Sequence, residues 1–106
     1  MKQQLALVAL VVDDYDRAIQ FYTKQLNFEL IEDTRLSDTK RWVVVSPPGS
    51  TCKILLAKAA NEVQTRSIGN QTGGRVFLFL HTDSIDRDLE NLKKNKIKIH
   101  AHVPQN

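Results

Sequence analysis

The chain has 106 residues, 42% of them hydrophobic, with 15 basic and 12 acidic side chains giving a formal charge of +3. That length fits one domain or two half-domains sharing a core. The mild, mixed charge argues against a nucleic-acid partner, and no apolar run is long enough to cross a bilayer.

A single cysteine, Cys52, cannot close an internal disulfide, which suits a reducing cytoplasm. The opening MKQQLALVALVV resembles a signal peptide only superficially. It runs straight into Asp13 and Asp14 without a small-residue cleavage pattern, so a buried strand is expected instead.

Leu5 to Val12 is almost continuously apolar, the pattern of a central strand or one shielded on both faces. Asp14 is placed to cap a helix, and Asp16 suits its positive end. Tyr15, Ala18, Ile19, Tyr22 and Leu26 form the inward stripe, and Asn27 is expected to end the helix in a left-handed conformation. Phe28 to Thr34 alternates as a strand. RLSDTK is a polar turn, and Arg41 to Ser46 is a strand by its aromatic and β-branched content. The turn at Pro47 to Ser50 then leads into a returning strand from Cys52 to Ala57.

These elements make a βαβββ module over 1–58. Residues 59–74 are polar and glycine-containing and read as a linker, compatible with a loop that rims a pocket. A second module opens at Arg75 with the strand VFLFL. Its helix is capped near Asp83 or Ser84 with Ile85, Leu89 and Leu92 inward, and a short strand follows from Lys96 to His100. At an offset of 70, Asp13, Asp16, Arg17 and Lys24 fall on Asp83, Asp86, Arg87 and Lys94. The helix anchors Tyr15, Ile19 and Tyr22 fall on Ile85, Leu89 and Leu92. Strand, cap and helical face match in one register, which predicts two copies of one unit. By the same offset the second copy, 75–106, is incomplete (βαβ) and lacks two strands. An exposed sheet edge of that kind invites pairing with another chain.

VALVVDDYDRAIQFYTKQLNFEL, followed by RWVVVSPPGS, ILLAKA and IGNQTGGRVFLFLHTDSIDRDLENLKK, resembles the vicinal oxygen chelate superfamily. That is the group of glyoxalase I, bleomycin-resistance proteins and extradiol dioxygenases. The resemblance extends from Leu5 to Ile99 and implies an α+β fold in which paired βαβββ modules form a curled mixed sheet around a cleft, completed in a homodimer, possibly strand-exchanged. It also implies where metal ligands would stand in the metalloenzymes of the group. Those addresses fall on Leu7, six residues before Asp13, on Phe77, six before Asp83, and near Leu56. The fourth lies beyond Asn106. Each identifiable address is apolar, so no metal, no cofactor and no catalytic residue is expected.

The remaining residues agree. A catalytic metal needs several converging His, Glu or Asp groups, and here they are scattered. His81 reads as a turn or rim residue. His100 and His102 share a side of an extended chain but sit in a terminal tail. Gly73-Gly74 precedes a strand, not a helix, so it is no phosphate loop. Cys52 reads as a small half-buried hydrophobe, with no His-Asp arrangement tied to it. Lys93, Lys94, Lys96 and Lys98 form a solvated face with no interleaved aromatics.

Trp42, Phe77 and Phe79 are placed to line an apolar or cation-accepting surface together with Leu7 and Leu56. The expected role is metal-independent binding of a small organic molecule in a hydrophobic cleft. Two alternatives stand beside it. One is a metal-dependent lyase or dioxygenase relative whose ligands are supplied atypically or by a partner chain. The other is a shortened dimeric protein without ligand function.

Overall fold

The computed structural model describes residues 1–97. Its centre is one four-stranded mixed sheet in the order β1-β4-β3-β2. The strands are β1 (Leu7–Val12), β2 (Glu29–Arg35), β3 (Arg41–Ser46) and β4 (Lys53–Lys58). β1 runs parallel to β4, with Leu7 opposite Lys53 and Leu10 opposite Leu56. β3 is antiparallel to both β4 and β2. A bulge between Leu30 and Glu32 shifts the β2 register, which frees Ile31 from strict alternation.

Helix α1 (Tyr15–Gln20) starts where Asp14 accepts a hydrogen bond from the Arg17 N–H at 2.9 Å. It continues into a π-helical turn, Phe21–Gln25, and Asn27 then takes φ 61°. α1 covers one face of the sheet. The core beneath it consists of Val12, Tyr15, Ala18, Val43, Val45, Ile54 and Leu56, flanked by Val8, Leu10, Ile19, Tyr22 and Phe28. These strand residues alternate, as a sheet with one covered face requires. Leu56, Val43 and Val45 are wholly buried.

The expectation of paired modules curling a mixed sheet around a cleft is corrected here. Among the described residues there is one open sheet, and all four of its strands come from the first 58 positions. The VFLFL stretch, Val76 to Leu80, belongs to no strand. It pairs with no strand of the sheet, although among the described residues the outer edge of β2 is free. β3 and β4 are paired on both sides, and two outer groups of the β1 edge are taken by a side chain: Gln71 accepts from the Val11 N–H at 2.8 Å and donates to the Ala9 carbonyl at 2.5 Å. A strand with no neighbours has nothing to hold it in a sheet.

The polar stretch 59–74 contains a short helix, α2 (Glu62–Ser67), capped by the Asn61 side chain. α3 (Ile85–Lys94) is capped by Ser84, which accepts from the Arg87 N–H at 3.3 Å. The repeat read in the sequence is therefore realised at its two helix starts. Arg17 pairs with Asp13 at 2.6 Å, and Arg87 pairs with Asp83 at 2.8 Å. Beyond α3, Lys96 turns the chain at φ 58°. The rest of the expected Lys96–His100 strand, and His102, lie outside the described residues.

Candidate functional site

Alternation along the strands gives the sheet a second face, away from α1. By register it carries Leu7, Ala9 and Val11 on β1, Lys53, Leu55 and Ala57 on β4, and Trp42, Val44 and Ser46 on β3. Glu32 and Thr34 extend it on β2. Trp42 is half-buried, Leu7 is 36% exposed, and Val44 is buried without belonging to the core under α1. Five predicted residues thus separate into three places. Leu7 and Trp42 share the open face. Leu56 lies on the opposite face, sealed beneath α1. Phe77 is half-buried and Phe79 is 82% exposed, both on the 76–80 stretch.

Two clefts lie elsewhere, and none of those five residues lines either one. The larger, about 620 Å³, has an apolar floor of Leu26, Phe28, Pro47 and Leu80, and a rim that includes His81 and Arg87. Its charges are paired among themselves. Arg87 reaches Asp83 at 2.8 Å and Asp88 at 3.1 Å, and these hydrogen bonds hold its guanidinium firmly protonated. The Thr82 hydroxyl, then Arg87, keep the Asp88 carboxyl below its usual range. One guanidinium between two carboxylates leaves a formal charge of −1, and the pairing holds Arg87 protonated and Asp88 ionised, so neither is poised as an acid or base. The smaller cleft, about 540 Å³, runs between β1, α1 and Ile68-Gly69. Both were missed from the sequence because they form where distant segments meet. The Pro47-Pro48 turn and the Ser84 cap were visible, but not that they face each other.

The π-helical turn lines the smaller cleft with Phe21, Tyr22 and Gln25. It leaves the Gln25 carbonyl free to accept from Asn91 Nδ2 at 2.8 Å and from Asn95 Nδ2 at 3.0 Å. One carbonyl at the end of the first helical segment thereby anchors α3.

The set of donors does not fit a metal of the kind the resemblance implies. Leu7, Leu56 and Phe77 stand at its addresses and offer no ligand atom, and Leu56 is closed off by the core. Among the described residues no three His, Cys, Asp or Glu side chains converge on a point that could hold an ion. The Cys52 thiol contacts the Lys53 carbonyl at 3.9 Å, which is no activating base.

A family model of the Glyoxalase/Bleomycin resistance protein/Dioxygenase superfamily matches residues 4–105. The chain belongs to this superfamily. Within it, an uncharacterized protein of Shewanella frigidimarina is 55% identical over 100 residues, which is 92% of this chain and 74% of that protein. Among solved structures, a superfamily member from Sphaerobacter thermophilus superposes with a TM-score of 0.71 at 26% identity, covering 89% of this chain and 72% of the other. TnmS3, an antibiotic binding protein from Streptomyces sp. CB03234, superposes with a TM-score of 0.69 at 26% identity, covering 89% and 71%. The likeness reaches well past β4, so α3 as well as the four-stranded module has its counterpart in the superfamily. Among the described residues no helix is long and apolar enough to cross a membrane.

Proposed function

We propose that this chain is a metal-independent binding member of the superfamily, acting in the cytoplasm. It takes a small, largely apolar organic molecule on the open sheet face, which Trp42 bounds at one end and Leu7 at the other. A second copy covers that face in a homodimer, and Phe77 and Phe79 complete the apolar lining. Leu56 serves the site from below by fixing β4. In this reading 1–58 is the rigid module, 59–74 the connection, and 75–106 the segment that meets ligand and partner.

The observation that carries this reading is the composition of the open face. By register Trp42 stands in line with Ala57 and Val11, and the face continues through Ala9 and Leu55 to Leu7, with Lys53 opposite Leu7 as the charge on β4. Apolar surfaces with one aromatic anchor are the usual lining of small-molecule sites. The structural likeness to an antibiotic binding protein supports the same ligand class. The partner is supported by the apolar residues left in water: Leu5, Val76, Phe79 and Leu80 are each more than half exposed.

Trp42 is the only tryptophan, so its emission reports on the site directly. Titration with 1-anilinonaphthalene-8-sulfonate is expected to quench it saturably. Trp42→Ala is expected to weaken the binding, followed by the dye's own emission, by about tenfold, the loss typical of a buried aromatic anchor. Saturable binding indifferent to Trp42→Ala, or no saturable binding, refutes the reading. Native mass spectrometry of the same sample that finds a stoichiometric transition metal establishes the metal-dependent alternative.

A further inference from the structure

The free edge of β1 is not bare. β4 occupies one side of β1, since Lys53 N–H donates to the Ala6 carbonyl and Ala59 N–H to the Val12 carbonyl. Peptide groups alternate in direction along a strand, so those of Leu7, Ala9 and Val11 point outward. The Gln71 amide sits on that outer side. Its oxygen accepts from Val11 N–H, and its nitrogen donates to the Ala9 carbonyl. One primary amide supplies the donor and acceptor that a peptide unit of a neighbouring strand would supply.

Its backbone setting holds Gln71 in place. A turn runs from Asn70 to Gly73, whose N–H donates to the Asn70 carbonyl at 3.2 Å. Gly69 and Gly73 on either side take φ of 75° and 73°, where other residues are strained. The hydrogen bonds cross 60 and 62 positions of sequence, so this contact is tertiary, not a by-product of local geometry.

Unpaired strand edges recruit further strands. Each molecule here also carries an exposed apolar stretch, Val76 to Leu80, that belongs to no strand. We propose that Gln71 is a latch on the outer edge of β1 that keeps a second copy of this chain from adding a strand there. The latch limits association through the edge and is independent of what the open face binds. Removing it frees one acceptor and one donor, and leaves them to be satisfied by water or by another chain.

Gln71→Met keeps the length of the side chain and deletes both polar atoms. Sedimentation velocity is expected to show self-association at least about tenfold tighter than in the unsubstituted chain, the scale of the two hydrogen bonds released to a partner. Hydrogen exchange on the associated form is expected to show new protection at Ala9 N–H. Unchanged or weaker association overturns the proposal. So does tighter association that protects a surface other than β1. Far-UV circular dichroism checks that the variant folds. If it does not, Gln71→Glu carries the same test, because it sets a carboxylate against the Ala9 carbonyl. A further measurement needs no variant. In the dilute unsubstituted chain, Val11 N–H is expected to exchange at least about tenfold more slowly than Ala9 N–H, and equal rates overturn the latch.

Discussion

Arg41 joins three elements through one side chain. Its Nε and Nη2 donate to the two carboxylate oxygens of Asp33 on β2, at 3.1 and 2.7 Å, while Nη1 donates to Asp16 on α1 at 2.9 Å. The guanidinium also lies 5.2 Å above the Tyr15 ring, and its backbone N–H donates to the Tyr15 hydroxyl at 3.2 Å. The hydrogen bonds from Arg41 hold the Asp33 carboxyl below its ordinary range. A depressed folded-state value makes the contribution fully present above the unfolded pKa of about 3.9. It is lost as pH falls through the folded value. Thermal melts followed downward from about pH 6 are therefore expected to show an acid-limb loss that Asp33→Asn largely removes. The same substitution is expected to cost roughly 1 kcal/mol near neutrality, since the pair is only partly shielded.

The Arg41 clamp was not legible in RWVVVS, because its partners lie 8 and 25 positions away. Residues governed by their immediate neighbours were legible. Asp14 caps α1 as its chemistry requires, and Asn27 takes the left-handed turn. Ile85 marks the boundary between the two cases. It was expected inward by helical spacing, yet it is 61% exposed. α3 is held through Asn91 and Asn95, polar positions that an apolar stripe does not single out.

At the level of elements, the βαβββ module could be read because each piece carries its own signal. Alternation, cap and turn residues agree over the first 58 positions, and the strands formed within two residues of expectation. The second copy shows where such reading stops. VFLFL has strand composition, but a strand also needs a partner, and composition does not name one. The placement of Leu56 shows the same thing on a finer scale. Its strand was foreseen, but a shift of one position along β4 separates the open face from the sealed one. Leu56→Ala is expected to destabilise the module by about 2–5 kcal/mol in urea or guanidinium titrations, because it opens a cavity between β4 and α1. Asn91→Ala combined with Asn95→Ala is expected to act differently. It should raise the hydrogen-exchange rate of α3 amides while leaving those of β3 and β4 near their original rates.

On the scale of the whole molecule, the radius of gyration of 15.1 Å exceeds the roughly 13 Å of a compact domain of this length. The excess fits a chain whose second part lies against the first without sharing a core, since among the described residues every buried hydrophobic one belongs to the first 58 positions. The second copy invoked for ligand binding would remove that surface from water. Phe79→Glu is accordingly expected to weaken concentration-dependent association in sedimentation equilibrium and to leave the melting of the module nearly unchanged. Superfamily membership was the most legible property of all, because it rests on the order of many modest motifs over residues 4–105 and not on any one site.

The position of β1 has a consequence for how the protein is made. Within the module the strand made first, β1, is parallel to the strand made last, β4, and Leu10 waits for Leu56. Until Lys58 has been synthesised, β2 and β3 can form only a hairpin, and α1 has no complete sheet to cover. Nascent β1 therefore spends that interval as an unshielded apolar strand, when its need for a chaperone is greatest. Closure requires β4, which lies between β1 and β3 and pairs with both.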